Sequence, residues 1–160
     1  MFRKSNVVLA VSAVAFIVLT ANAAETISTR FGQLKTDEYD IDLSYKGKSI
    51  AQGNNSISLI KKFQIGDSDV LLMQNNGGTA CPALYLFVTI TASGAKVSEE
   101  FGSCNEVSNT AQEGEAINVT MPGFKMVNGV YKQSGEKMKC SFSFKSGVVS
   151  KPTSKLCSAS

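Results

Sequence analysis

Histidine is absent from all 160 residues. Without an imidazole there is no Ser-His-Asp triad, no Cys-His pair and no histidine metal ligand. The four cysteines include no Cys-x-x-Cys pair, the usual spacing of a structural zinc site. There is no P-loop: Gly77-Gly78 follows a strand-like run and opens no helical pattern. Serine and lysine abound, yet no Ser-x-x-Lys stands beside the supporting motifs of a serine–lysine hydrolase. No catalytic residue, metal or cofactor is therefore expected. Internal repeats, low-complexity tracts and linkers are missing too.

Net charge is also scarce. The formal charge is +3, but Arg3 and Lys4 lie in the leader described next, and their removal brings it to +1. Such a balance gives no general attraction to nucleic acid or to anionic lipid. The lysines are scattered (Lys46 and Lys48, Lys61 and Lys62, Lys137 and Lys139) and read as a solvated surface.

What the chain does have begins at its start. Arg3 and Lys4 precede an apolar run, 7–19, broken only by Ser12, and Thr20-Ala-Asn-Ala-Ala24 follows. A charged start, a short apolar middle and an Ala-x-Ala exit make a secretory signal peptide, 1–23, cut after Ala23. The run is too short to span a bilayer, which takes about 20 residues. No cysteine follows the cut, so a lipid anchor is not expected. The remaining chain, 24–160, is long enough for a single β domain with its own core, periplasmic or secreted, without stable membrane insertion.

Four cysteines in an exported chain read as two disulfides, with three possible connectivities. Hairpin geometry favours one. Segments 84–91 and 96–101 fold back about Ser93-Gly94, which places Cys81 and Cys104 at the same open end. Cys140 and Cys157 flank a second reversal at Ser146-Gly147. The expected pairs are Cys81–Cys104 and Cys140–Cys157. They close loops of about 24 and 18 residues, each stabilising by roughly 3 kcal/mol in chain-entropy terms.

The hydrophobic pattern is strand-like nearly throughout. Segments 40–45, 57–59 and 139–144 alternate polar and apolar residues, whereas 69–73 and 84–91 are continuously apolar. The long, β-branched 84–91 reads as a central strand covered on both faces. Segments 97–101 and 116–121 complete the clear set; 26–34, 48–51, 129–132 and 148–150 are weaker, and 105–115 has room for a short helical turn. Turn pairs such as Lys46-Gly47, Gly66-Asp67 and Ser146-Gly147 separate them. The expected fold is all-β: a disulfide-braced antiparallel sandwich or small barrel of about 8–10 short strands.

Carboxylates are the remaining candidates for chemistry. Period two puts Asp40 and Asp42 on one face, as a calcium pair or glycosidase dyad would require, or as the charged outer face of an edge strand. Asp67 and Asp69 are similarly placed, though Gly66-Asp67 is first a turn, and a calcium loop of the Asp-x-Asp-x-Asp-Gly type is missing. Glu99 and Glu100 complete the possible hydrolase set.

The most distinctive motif is Gly77-Gly-Thr-Ala-Cys-Pro-Ala-Leu-Tyr85 with Phe101-Gly-Ser-Cys104 behind it. It reads as a stapled hairpin whose 75–79 loop is available for contact. Together with Asp67-Ser-Asp-Val70 it resembles a family of small exported bacterial proteins of unassigned activity, over about residues 65–121. That family has no catalytic residues to carry over. Some small periplasmic β proteins of this general type are immunity proteins or inhibitors, an analogy of fold and address; export, small size, disulfide bracing and the missing catalytic groups carry the binding expectation. The leading expectation is a non-enzymatic periplasmic protein that binds a protein partner, as an immunity protein or inhibitor of a cell-envelope hydrolase. The alternatives are an envelope or surface component assembling by strand addition, and a carboxylate-dependent hydrolase. The expected contact residues are Asn75, Asn76 and Gly77 in one loop, with Phe124 and Met126 in a second loop, 122–126.

Overall fold

The computed structural model describes residues 24–127, 130–133 and 138–157; the segment 1–23, expected to be a signal peptide, lies outside the described residues. The first sheet is a meander of β1 (Thr26–Thr29), β2 (Gly32–Thr36), β3 (Asp42–Tyr45) and β4 (Lys48–Gln52). The second is a meander of longer strands, β5 (Ser56–Ile65), β6 (Ser68–Asn76), β7 (Ala83–Thr91) and the short β8 (Gly94–Val97). The third begins with β9 (Asn109–Glu113) and β10 (Ala116–Pro122). A two-stranded ribbon, β11 (Phe124–Val127) and β12 (Val130–Gln133), then interrupts it. It resumes with β13 (Lys139–Lys145) and β14 (Val148–Ser150), in the order β14-β13-β10-β9. Every pairing is antiparallel. A 3-10 turn, Lys155–Cys157, ends the described chain. Among the described residues no helix is long and apolar enough to cross a membrane.

The protein is an antiparallel sandwich, not a closed barrel, and it has three layers. Alternation along β7 explains why. Ala83, Tyr85 and Phe87 enter one core with Val70 and Leu72 of β6, against Ile117, Val119, Met121, Phe142 and Phe144 of the third sheet. Leu86, Val88 and Ile90 enter the other with Leu71 and Met73, against Ile27, Leu34, Leu43 and Tyr45 of the first sheet. The second sheet is therefore buried on both faces, which is why β6 and β7 read as continuous apolar runs. Aromatic packing holds the second and third sheets together: Phe87 stacks on Phe144 at 4.3 Å and on Phe101 at 5.4 Å, and Phe101 meets Phe142 at 5.1 Å.

Fourteen strands are present among the described residues, more than expected. Segment 26–34 is divided by a turn at Arg30-Phe31, and every weaker candidate is paired within its described residues, 129 lying outside them. Part of the segment given room for a helical turn is instead β9, because its backbone pairs along β10. The expected strand 96–101 ends at Val97. Ser98 still bonds Phe87 through both its backbone N–H and its hydroxyl (2.9 Å each), and the chain rejoins at Phe101 as a bridge to Tyr85. The acidic strand is no edge: β3 lies between β2 and β4.

One ionic contact ties the first sheet to the second. Arg30 donates to both Asp69 oxygens, from its backbone N–H and from Nε, each at 2.7 Å, and its two terminal nitrogens reach the Gly66 carbonyl at 3.3 Å. Asp69 is 3 % exposed.

Candidate functional site

The disulfide-braced turn between β6 and β7 is the candidate site. Both flanking strands are anchored in the doubly buried second sheet, so the turn starts from fixed ends. Cys81 is bonded to Cys104 and Cys140 to Cys157, the pairing expected from hairpin geometry. Within the turn, Gly77 N–H donates to the Pro82 carbonyl at 2.9 Å and Cys81 N–H to the Gly78 carbonyl at 3.2 Å. A Cβ on Gly77 would lie 2.0 Å from the Cys81 carbonyl oxygen, so only glycine allows the two ends of the turn to approach. Gly78, Thr79, Ala80 and Pro82 are exposed. The turn is thus closed by two backbone hydrogen bonds and tied through Cys81 to Cys104 of the segment 101–105, with its tip in solvent.

Its base is a network of amides. Asn75, 2 % exposed, donates from Nδ2 to Glu100 Oε1 at 2.5 Å and accepts the Asn54 N–H at 2.7 Å. Asn76 donates to the Ser56 hydroxyl (2.7 Å) and accepts from Gln74 (2.5 Å), while Asn55 donates to the Gly77 carbonyl at 2.8 Å. Asn75 is consequently a support of the turn and not a contact residue, because burial and two internal partners occupy its side chain. Asn76 and Gly77 are half-buried supports beside it.

The segment 101–105 lies buried beneath the turn and fixes Cys104. Its buried polar side chains are satisfied internally, as burial demands. Ser103 donates from Oγ to the Pro122 carbonyl at 2.6 Å. Asn105 Nδ2 reaches the carbonyls of Pro122 and Gly123 at 3.2 Å. The Tyr85 hydroxyl donates to the Asn105 carbonyl and accepts the Val107 N–H, both at 3.1 Å. Burial pushes the Tyr85 phenol up to about 12, against the opposing pull of the Val107 N–H and with some help from Glu106. It is a structural hydroxyl, neutral at any physiological pH.

The second expected contact loop is not a loop. Pro122 ends β10, and Phe124 and Met126 belong to β11, because this stretch pairs with β12. Phe124 is half-buried, and the side chain of Met126 lies outside the described residues.

The carboxylates are spent locally or separated. Asp37 Oδ1 caps the N–H groups of Ile41 (2.7 Å) and Asp42 (3.1 Å); Asp40 accepts the Thr36 hydroxyl at 2.5 Å; Asp42 accepts the Ser49 hydroxyl. Asp40 precedes β3 with φ of 57°, so the two-residue alternation that would align it with Asp42 has not yet begun. Glu99 and Glu100 follow β8 and face other partners, Lys151 at 3.3 Å and Asn75. Among the described residues no three His, Cys, Asp or Glu side chains gather to hold a metal ion.

Sequence reasoning missed Ala80 and Pro82 as tip residues and Asn54, Asn55 and Glu100 as supports. Glycine pairs and the Cys-Pro step marked the turn, but nothing local marks partners that lie more than twenty residues away. Comparison with protein-family models, with curated proteins and with solved structures finds no match.

Proposed function

We propose that the protein is an exported binding protein that acts by protein–protein contact, as an immunity protein or inhibitor of a cell-envelope hydrolase, and that the tip 78–82 is its contact element. One observation carries the reading: an exposed turn whose backbone is fixed by the Cys81–Cys104 disulfide and by hydrogen bonds at both ends. A turn already held in one conformation loses little entropy on association, so a small contact element gives useful affinity. Blocking a foreign active site needs shape and rigidity and no chemistry of its own.

Assembly by strand addition is less well supported. The longest edge strand, β5, carries a bulge between Leu59 and Lys61, and Lys61 and Lys62 project from it to bond Thr110 and the Ser28 carbonyl at 3.0 Å each. Bulges and edge lysines are devices that resist pairing with another chain.

The test is inhibition and capture of purified cell-envelope hydrolases by the protein and by its Thr79→Arg and Ala80→Arg variants. The wild type captures and inhibits at least one hydrolase, and each variant binds it at least tenfold more weakly with unchanged thermal stability. Capture that survives both substitutions excludes the turn as the contact element; catalysis lost in Asp42→Asn with the fold intact favours the hydrolase alternative.

A further inference from the structure

At the end of the second sheet opposite the braced turn, the sandwich opens. The separation is the length of β6, roughly 27 Å at 3.4 Å per residue. The turns of four hairpins meet there and frame a cleft of about 420 Å³ between the second and third sheets, within the roughly 300–1,000 Å³ of small-ligand sites. Its floor is apolar: Ile65, Val70 and Phe144.

The wall is different. Thr89 continues the β7 face that carries Tyr85 and Phe87, and its cross-strand neighbours are Val70 and Lys96. Ser68 and Thr91 extend the same face by one more row. Ser68, Thr89 and Thr91 are half-buried. Among the described residues the hydroxyls of Ser68 and Thr89 have no side-chain hydrogen bond, and Thr91 bonds only the neighbouring turn, at Ser93 and Gly94. The fully buried hydroxyls are engaged, Thr36 with Asp40, Ser103 with Pro122 and Tyr85 with Asn105, whereas the half-buried Ser58, Thr120 and Ser143, like the cleft hydroxyls, have no side-chain hydrogen bond among the described residues. The exposed rim holds Asp67, Lys96 and Glu115, none of them in an ion pair among the described residues.

We infer that this cleft binds a neutral saccharide unit, with Ser68, Thr89 and Thr91 meeting its hydroxyls and the Ile65–Val70–Phe144 floor meeting its C–H face. Serine and threonine hydroxyls both donate and accept, as sugar hydroxyls do. The rim adds two acceptors and one donor of fixed charge, so a ligand bearing a single charge meets both signs and gains little, whereas hydroxyls pair with either. The inference is independent of the contact turn, which lies at the other end of the sheet.

The experiment is a titration of the isotopically labelled protein, followed by amide chemical shifts, with cellotetraose, maltotetraose, xylotetraose and chitotetraose, and separately with n-butylamine and sodium acetate. At least one tetraose gives saturable shifts confined to residues 65–70, 89–96 and 144–147. Thr89→Val, which keeps shape and strand preference but removes the hydroxyl, weakens that binding at least tenfold while the remaining spectrum is unchanged. The inference is overturned if no tetraose saturates below about 10 mM, if the shifts map elsewhere, or if folded Thr89→Val binds as the wild type does. Saturation by butylamine or acetate with none by the sugars also overturns it, since the cleft then selects a charged group.

Discussion

Replacing Gly77 by alanine tests whether the contact turn is held as the structure implies. The added Cβ would stand 2.0 Å from the Cys81 carbonyl oxygen and 3.2 Å from its carbon. Both are backbone atoms, so no side-chain rotation relieves the clash, and residues 77 and 81 must separate by more than an ångström. That movement breaks the Gly77–Pro82 and Cys81–Gly78 hydrogen bonds. Two lost hydrogen bonds cost about 1 kcal/mol each. Backbone displacement in a packed region adds about 1–3 kcal/mol. A loss of roughly 3–5 kcal/mol lowers Tm by roughly 10–17 °C for a domain of this size. Gly78→Ala is the control: no atom lies within 4 Å of its Cβ position, so its Tm shifts by less than about 1 °C. Thermal unfolding of both variants with disulfides intact, followed by circular dichroism, is the assay. Equal Tm values for the two variants would refute the reasoning, because the turn would then be slack enough to absorb the clash and could not be preorganised.

Three further outcomes are expected. Asp69 links acid stability to the joint between the first and second sheets: burial alone would push its carboxyl up, but the Arg30 N–H and guanidinium, aided by Lys62, hold it below the usual carboxylate value. A depressed folded pKa gives stability that is present above the unfolded value, near pH 4, and is lost as pH falls through the folded value. Chemical denaturation between pH 2 and 7 therefore shows a steeper acid loss in the wild type than in Asp69→Asn, and identical slopes would deny the ion pair its role. Tyr85→Phe strands the Asn105 carbonyl and the Val107 N–H in a buried site and costs about 2–3 kcal/mol by denaturant titration; a loss under 0.5 kcal/mol would mean the hydroxyl is replaceable by water. The expected signal-peptide cut follows Ala23, so N-terminal sequencing of the periplasmic or culture fraction is expected to read Ala24-Glu-Thr; a chain starting at Met1 would defeat the signal-peptide reading.

Much of the fold was legible because β structure writes itself locally. Alternation at 139–144 and the continuous apolar run at 84–91 named a one-faced and a two-faced strand, and both are so used: Cys140, Phe142 and Phe144 face one core, while β7 feeds two. The disulfides were legible for the same reason. Each closes around a reversal close in sequence, so hairpin geometry alone brings its cysteines together. Asn75 was misread because a polar residue beside two glycines is ordinarily a solvated turn. Its burial depends on Asn54 and Glu100, which are near only after folding. Phe124 and Met126 were misread because Pro122-Gly123 looks like a turn, whereas pairing with β12 makes 124–127 a strand.

The sequence by itself determined the all-β class, the clear strands, most of their turns, the two crosslinks and the two-faced character of the central strand 84–91, all consequences of residue period and short-range geometry. The tertiary structure decided which sheets cover that middle layer, which amides support the braced turn, and where the sandwich opens into a cleft. Those depend on contacts between segments far apart in the chain. A residue's own neighbours record whether it is apolar, but not which distant surface will meet it.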